Sequence, residues 1–260
     1  MSDEERITTE RRGHLFLMGL NRPKKMNAFD AEMLLALSRA YELLEADEGL
    51  RCGVLFAHGE HFTAGLDLAD VAPLMMEGKL DLGAGVDPWG VHGRHRTKPT
   101  VIAVHGRCLT LGIELCLAQD VRVAASNTRF AQIEVKRGIF PFGGATFRLV
   151  QTAGWGNAMR WLLTGDELGA EEALRIGLVQ EVAPRGQHLE KAIAIAETIA
   201  AQAPLGVQAT LLSARNRLEK GFALAAQELV PQARTLMQTE DAREGLMSFV
   251  ERRTAKFEGR

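Results

Sequence analysis

Two glutamates lie in strongly apolar segments of the sequence, 134 − 114 = 20 residues apart. Glu114 belongs to the segment Gly-Ile-Glu-Leu-Cys and Glu134 to Gln-Ile-Glu-Val. A carboxyl group buried in such a segment must be paired, hydrogen-bonded or shifted in pKa. Two carboxyl groups that share a site repel each other and separate their pKa values, so one can act as an acid and the other as a base. The alternative is that each glutamate lies on the exposed edge of an amphipathic element.

Two loops could present main-chain N–H groups to a ligand. In the segment from Gly106 to Leu115 a loop gives way to a helix near Leu111, and the N–H groups of the first helical turn have no intrahelical partners. Together with the helix dipole, such groups suit an oxygen that is developing negative charge. The segment from Phe62 to Asp67 follows a strand, and its Gly65 allows a tight turn that exposes main-chain N–H groups.

The elements that must position these residues are alternating strands and helices. Short apolar, partly β-branched runs predict four strands, and Asp30 is a suitable N-cap for a helix with its apolar face at 33, 34, 37, 41 and 44. The pattern indicates an α/β fold followed by a helical module. The predicted strands are His14–Leu20, Cys52–Ala57, Thr100–Val104 and Val121–Ala125, and further helices are predicted near Leu111, at Trp155–Thr164, at Ala170–Ile176 and from Leu189 onward, with breaks at Pro204 and Gly221.

One segment, from Met76 to Thr97, is rich in glycine and has no clear periodicity. It is either a flexible surface loop or a loop that shapes a substrate pocket. Trp89, within it, is either a pocket residue or an anchor for the loop. The pairs His58/His61 and His92/His95 have spacing compatible with a metal, but both lie in turn-like segments, so we expect no metal site.

Composition limits the class of protein. The 260 residues carry a net charge of −2, and 46% of them are hydrophobic, which is typical of a globular protein that binds neither nucleic acid nor a membrane. The three cysteines are expected to be buried, reduced thiols, which favours the cytoplasm. The acidic N-terminal segment predicts neither a secretion signal nor a mitochondrial transit peptide.

The motifs, taken in order, resemble the crotonase (enoyl-CoA hydratase/isomerase) family, and most of all its enoyl-CoA hydratases. Beyond the segments already quoted, the resemblance is carried by 20–28 (LNRPKKMNA), 163–166 (LTGD), 173–182 and 248–253 (SFVERR). It implies a spiral of ββα units in residues 1–195 and a helical C-terminal trimerisation region in residues 196–260. It also implies a homotrimer or a hexamer.

The same resemblance implies roles for individual residues. Glu114 would hold and activate water, Glu134 would protonate C2 of a 2-enoyl-CoA, and the N–H groups of Ala64 and Leu111 would form an oxyanion hole. No separate cofactor is expected, because coenzyme A is part of the acyl-CoA substrate. The positions implied to bind the substrate are Lys24, Ala28, Ala64, Gly65, Leu66, Asp67, Leu68, Leu111, Pro141, Phe249 and Arg252, the last two against coenzyme A of a neighbouring subunit.

The sequence departs from the family at Leu111, where the hydratases usually carry glycine. A leucine main chain can still donate the hydrogen bond, but a positive φ angle there would strain it, and its side chain is expected to narrow the acyl pocket. Two alternatives to a hydratase remain open. One is an enoyl-CoA isomerase that uses mainly Glu134, and the other is a protein that binds acyl-CoA with little catalysis.

Overall fold

The computed structural model describes residues 5–80 and 85–260. In these ranges strands and helices alternate up to residue 183, and helices follow. The strands are β1 (Ile7–Arg12), β2 (Leu15–Leu20), β3 (Cys52–Ala57), β4 (Thr100–Val104), β5 (Arg107–Leu109), β6 (Val121–Ala125), β7 (Arg129–Ala131), β8 (Leu168–Gly169) and β9 (Glu181–Ala183). The helices are α1 (Ala31–Ala46), α2 (Leu68–Met76), α3 (Leu111–Ala118), α4 (Ala145–Ala153), α5 (Trp155–Thr164), α6 (Ala170–Arg175), α7 (His188–Ala200), α8 (Pro204–Glu219), α9 (Phe222–Leu236) and α10 (Glu240–Glu251), with short 3-10 helices at Pro23–Lys25 and Glu134–Arg137.

A six-stranded sheet in the order β1-β2-β3-β4-β6-β9 forms the centre of the fold. Only the β1–β2 pair is antiparallel, and the other pairs are parallel. All six residues of β2 are buried, whereas β1 is mostly exposed, because β1 is an edge strand. The α/β class expected from the sequence is therefore confirmed, and three of the four predicted strands have the predicted bounds.

Helix α1 begins where its cap predicts. The Met33 N–H donates a 2.9 Å hydrogen bond to Oδ1 of Asp30, which satisfies one of the unpaired donors of the first turn. The expected apolar face is buried, and the hydroxyl of Tyr41 donates to Gln119 within the core. This helix contacts β1 and β2, so it fixes one side of the sheet.

A second sheet, in the order β5-β7-β8, brings the two glutamate segments together. Strands β5 and β7 are parallel, and Leu109 is paired in register with Ala131. Because parallel strands end at the same edge of a sheet, the segments that leave β5 and β7 emerge side by side. Helix α3 with Glu114 follows β5, and the 3-10 helix that begins at Glu134 follows β7.

The C-terminal helices divide into one that covers the sheet and three that extend beyond it. Ala192 and Ala196 of α7 are buried in a cluster with residues of β2, β3, β4 and β6. Residue 195, after which the sequence predicts a domain boundary, lies inside α7, and Ala200 at the end of that helix is buried in the same cluster. The division into two regions stays a prediction. Helix α8 starts at Pro204 and α9 follows Gly221, as the sequence predicted.

Two further expectations concern the whole chain. Cys52, Cys108 and Cys116 are free and buried, as predicted. Over residues 5–80 and 85–260, no helix combines the length and the apolar character that crossing a membrane requires.

Candidate active site

Glu114 lies one turn into α3 and is 2% exposed. Its Oε1 atom accepts hydrogen bonds from the N–H groups of Gly143 at 2.7 Å and of Ala145 at 3.2 Å, at the start of α4. Burial raises the pKa of this carboxyl, while the two N–H donors and the Arg148 cation oppose that shift. The hydrogen bonds favour the ionised form, so the environment suits a carboxylate that accepts a proton.

Glu134 is also buried, but its surroundings differ. Its Oε2 atom is enclosed and has no hydrogen-bond partner in the described part of the chain. Burial, followed by the charge of Glu114 as a smaller cause, raises the pKa of Glu134 to about 7, although its own main-chain N–H opposes the shift. At neutral pH a large fraction of this carboxyl is protonated, which is the state that a proton donor needs.

Both glutamates line one cavity of about 100 Å³. The other walls are mostly apolar, which explains the desolvation of the two carboxyl groups. The remaining lining residues are Ala64, Leu66, Leu68, Thr110, Leu111, Ile133, Arg137, Ile139 and Phe142. The parallel pairing of β5 with β7 thus places the two glutamates in a shared cavity. Their spacing in the sequence alone could not show this.

The loop from Thr63 to Asp67 has a single uncommitted main-chain donor among the described residues, at Leu66. The Ala64 N–H donates to the carbonyl of Met26 at 2.9 Å, and the Gly65 N–H donates to Oγ1 of Thr63 at 3.0 Å. The Asp67 N–H donates to the carbonyl of Phe29 at 2.8 Å. The prediction that Ala64 provides the oxyanion donor is therefore wrong, because its N–H is already hydrogen-bonded, and the available N–H belongs to Leu66.

The second predicted donor, the Leu111 N–H, is the first of α3. It has no hydrogen-bond partner among the described residues, as expected for the first turn of a helix. Leu111 does not have a positive φ angle, so the strain considered for it does not arise. That strain falls on the preceding residue, Thr110, whose φ is 49° and ψ is −116°.

A second cavity of about 70 Å³ adjoins the first and shares Leu66, Leu111 and Phe142 with it. Its lining is almost wholly apolar. Trp89 lies in this wall and donates from Nε1 to the carbonyl of Leu111 at 3.2 Å, so it both lines the cavity and anchors its loop. The described part of the glycine-rich segment thus shapes a pocket, while residues 81–84 of that segment lie outside the described residues.

The other predicted binding residues are distributed over a wider surface. Gly65, with φ 96°, and Asp67 belong to the loop described above, and Asp67 forms a 2.8 Å ion pair with Arg22 that lowers the pKa of its carboxyl. Leu68 lines the first cavity. The predicted binding residues that line neither cavity are Lys24, Ala28, Gly65, Asp67, Pro141, Phe249 and Arg252.

Phe249 lies on α10 and is 82% exposed, and Arg252 follows at the end of that helix. Their contact with coenzyme A bound to a neighbouring subunit stays a prediction, because the structure describes one chain. Among the described residues no group of three or more His, Cys, Asp or Glu side chains could hold a metal ion.

Gly143 and Ala145, whose N–H groups bind Glu114, had no individual role in the sequence-based predictions. The available signal was the pair Gly143-Gly144 before a helical pattern, which resembles an anion-binding helix start. Gly143 is required by space as well, because a Cβ atom there would lie 2.6 Å from Oε2 of Glu114.

Several known proteins are similar to this chain in fold and in sequence. The model of the enoyl-CoA hydratase/isomerase family matches residues 10–260. A probable enoyl-CoA hydratase/isomerase from Mycobacterium abscessus has a crystal structure that superposes with a TM-score of 0.96, at 53% identity, covering 99% of this chain and all of that one. Enoyl-CoA hydratase EchA19 from Mycobacterium tuberculosis is 34% identical over 259 residues, or 96% of each chain. The crotonyl-CoA hydratase of Syntrophomonas wolfei is 32% identical over 254 residues, covering 97% of this chain and 98% of the relative.

The fold and the pair of carboxyl groups in one cavity define a protein of the crotonase class. The chain belongs to the enoyl-CoA hydratase/isomerase family, and it is an enzyme of the lyase class to which the hydratases of that family belong. The resemblance recognised in the sequence is therefore confirmed.

Proposed function

We propose that this enzyme adds water across the 2,3 double bond of a 2-enoyl-CoA thioester. The observation that supports this most is the difference between the two carboxyl groups of one cavity. Glu114 accepts two main-chain hydrogen bonds, whereas Glu134 has an unpartnered buried oxygen and a pKa raised to about 7. Hydration needs one carboxylate and one carboxylic acid, and these environments favour that division.

In the proposed reaction Glu114 holds the water molecule and removes one of its protons as the oxygen bonds to C3. The electron pair of the double bond moves toward the thioester, whose oxygen gains negative charge. Glu134 then gives its proton to C2. Afterwards Glu114 is protonated and Glu134 is ionised, and proton exchange with solvent restores the starting state.

The negative charge on the thioester oxygen would be stabilised by the N–H groups of Leu66 and Leu111. Both residues line the cavity, and both N–H groups lack a partner among the described residues. The removal of one such donor typically reduces the rate about 10²–10³-fold. The acyl chain would extend past Leu111 into the smaller apolar cavity, and the thioester would be the only small-molecule partner the reaction requires besides water.

The test of this proposal is a product analysis. Purified protein would be incubated with crotonyl-CoA, longer 2-enoyl-CoA thioesters and matched 3-enoyl-CoA thioesters, and the products would be identified by chromatography and mass spectrometry. We expect 3-hydroxyacyl-CoA from the 2-enoyl substrates. Conversion of 3-enoyl to 2-enoyl thioesters without hydration would instead identify an isomerase, and binding without turnover of either set would indicate an acyl-CoA-binding protein.

We also propose that α8, α9 and α10 form an interface between copies of the chain, giving a trimer or a hexamer. Large apolar side chains on these helices are exposed in the single chain, including Leu218 at 63%, Phe222 at 72% and Phe249 at 82%. Exposed apolar surface of this extent is typical of an interface. Light scattering of the purified protein at micromolar concentration should give three or six times the mass of one chain, and a monomer would contradict the proposal.

A further inference from the structure

The backbone of Thr110 has an unusual conformation at the edge of the cavity. Its φ of 49° and ψ of −116° lie in a region that β-branched residues rarely adopt. The conformation is held by three hydrogen bonds. The Thr110 N–H donates to the Ala131 carbonyl at 2.9 Å, and the Thr110 carbonyl accepts from Ile113 at 2.8 Å and from Glu114 at 3.3 Å. The start of α3 is thus fixed between β7 and the first helical turn.

This conformation directs the Thr110 side chain toward the facing loop. A Cβ atom built on Gly65 would lie only 1.8 Å from Oγ1 of Thr110, so the hydroxyl group occupies the space beside the Gly65 main chain. Gly65 immediately precedes Leu66, and Thr110 immediately precedes Leu111. The hydroxyl group therefore lies where the two loops with the uncommitted N–H groups meet.

The Thr110 hydroxyl group is also free to interact with a ligand. Thr110 lines the cavity and is only partly buried, and Oγ1 has no hydrogen-bond partner among the described residues. By contrast, the hydroxyl of Thr63 in the facing loop is committed, because it donates to the Asn27 carbonyl at 2.7 Å and accepts from Gly65. An O–H group with no competing acceptor can donate to an anionic oxygen in the cavity.

We infer that the Thr110 hydroxyl group is a third hydrogen-bond donor to the thioester oxygen, beside the N–H groups of Leu66 and Leu111. The inference rests on the proposed function for the identity of that oxygen. The hydroxyl keeps its proton throughout and acts by stabilising charge that develops in the transition state. This role would explain why a threonine is kept in a strained backbone conformation beside the two N–H donors.

The test separates the hydroxyl group from the backbone strain. Thr110→Val keeps the shape and the β-branching but removes the donor, and Thr110→Ser keeps the donor. Thr110→Gly removes both the donor and the strain. With crotonyl-CoA we expect Thr110→Val and Thr110→Gly to lose about 10²-fold or more in kcat. Thr110→Ser should stay within about tenfold of wild type, and Thr110→Gly should unfold at a higher temperature than Thr110→Val.

Ligand binding provides a second readout that does not depend on turnover. Acetoacetyl-CoA can bind as an enolate, whose oxygen carries the charge, whereas butyryl-CoA presents a neutral thioester. Thr110→Val should weaken the binding of acetoacetyl-CoA by about tenfold or more and change that of butyryl-CoA by less than about threefold, because a donor to a charged oxygen contributes more than one to a neutral oxygen.

Thr110→Val with wild-type kcat and wild-type affinity for acetoacetyl-CoA would overturn the inference. Equal losses of affinity for the two ligands would overturn it too, since they would indicate a packing defect. If Thr110→Val does not fold, the comparison of Thr110→Ser with Thr110→Gly decides in the same way. A wild-type protein without hydratase activity would refute the proposed function, yet the two binding measurements would still test the third donor.

Discussion

The Gly143 N–H donates a 2.7 Å hydrogen bond to Oε1 of Glu114, and this bond joins the start of α4 to the first turns of α3. It gives Glu114 a fixed position and a charge-stabilising partner from another helix, whereas Oε2 of Glu134 in the same cavity has no hydrogen-bond partner among the described residues. Two side chains of the same type therefore have different surroundings although they share one cavity. The proposed roles, Glu114 as base and Glu134 as acid, follow from this difference. Four predictions test these roles and the influence of the cavity's shape on substrate choice.

We expect Glu114→Gln and Glu134→Gln each to reduce the hydration of crotonyl-CoA about 10²–10⁴-fold, which is the usual contribution of a general acid or base. The substitution keeps the size of the side chain, so the dissociation constant for butyryl-CoA should change little. The measurement is kcat and KM for each variant together with that dissociation constant. A Glu114→Gln variant within threefold of wild type would remove the case for a hydratase and favour an isomerase that depends on Glu134.

Gly143→Ala tests the position of Glu114 without altering a carboxyl group. The new Cβ atom would lie 2.6 Å from Oε2 of Glu114 and 3.2 Å from Cδ1 of Leu111, so the carboxylate must move. A displacement of about 1 Å can reduce the rate about 10²-fold, and we expect a loss of at least about tenfold in kcat. Gly156→Ala, on α5, is the matched control, because its Cβ atom would meet nothing within 4 Å and should leave kcat unchanged. Equal kcat values for the two variants would show that Glu114 needs no fixed position.

Glu134→Gln should change the pH dependence of stability. The pKa of Glu134 is raised from 4.5 to about 7 in the folded protein, so the folded state holds this proton more tightly than the unfolded chain does. The free energy of unfolding therefore falls progressively as the pH rises from about 4.5 to about 7. Above that range this unfavourable contribution of Glu134 is present in full and no longer changes with pH. The cost at pH 8 is at most about 3 kcal/mol, since one pKa unit corresponds to about 1.4 kcal/mol.

Glutamine cannot ionise, so the difference in Tm between Glu134→Gln and wild type should be more positive at pH 8 than at pH 5. Thermal unfolding of both proteins at the two pH values measures it. Glu258→Gln is a suitable control, because Glu258 is exposed near the C-terminus and away from the cavity. A Tm difference that is the same at pH 5 and pH 8 would contradict a raised pKa for Glu134.

Leu111 lies in the wall between the two cavities, so its size should influence which acyl chains are accepted. Leu111→Gly should retain activity on crotonyl-CoA within about tenfold, because the main-chain donor remains, although a glycine increases the freedom of the loop. It should also widen the acyl range, since a contact with one methylene group contributes about 1–3 kcal/mol to discrimination.

Leu111→Ala makes the same change without the added backbone freedom, and both variants are compared with wild type by kcat/KM for short, branched and long 2-enoyl-CoA thioesters. Leu115→Ala is the control, because Leu115 is buried in the same helix and lines neither cavity. If the Leu111 variants rank the acyl-CoA substrates in the same order as wild type, the leucine in place of the family's glycine affects packing alone and not substrate choice.

Much of the architecture was predictable from local patterns. The strands Cys52–Ala57, Thr100–Val104 and Val121–Ala125 have their predicted bounds, because a parallel strand covered on both faces is a short and largely apolar run. Strands β1, β5, β7, β8 and β9 were not predicted. The last four are two or three residues long, and so short a run has no periodicity to detect. Strand β1 has six residues, but its sequence ITTERR is mostly polar and contains no apolar run.

The sequence by itself was enough to recognise the family, to single out Glu114 and Glu134 as candidate site residues, and to predict that the Leu111 N–H has no partner. The motifs and the glutamates are matters of residue type, and the free N–H follows from the position of Leu111 at a helix start. Only the tertiary structure decided which N–H group of the other loop is available. Ala64 and Leu66 are two residues apart in a turn, and the choice depends on the carbonyl of Met26, which reaches Ala64 from another part of the chain. The pairing of β5 with β7 likewise decided that Glu114 and Glu134 share one cavity, since a contact between distant segments is set by strand register and not by local sequence.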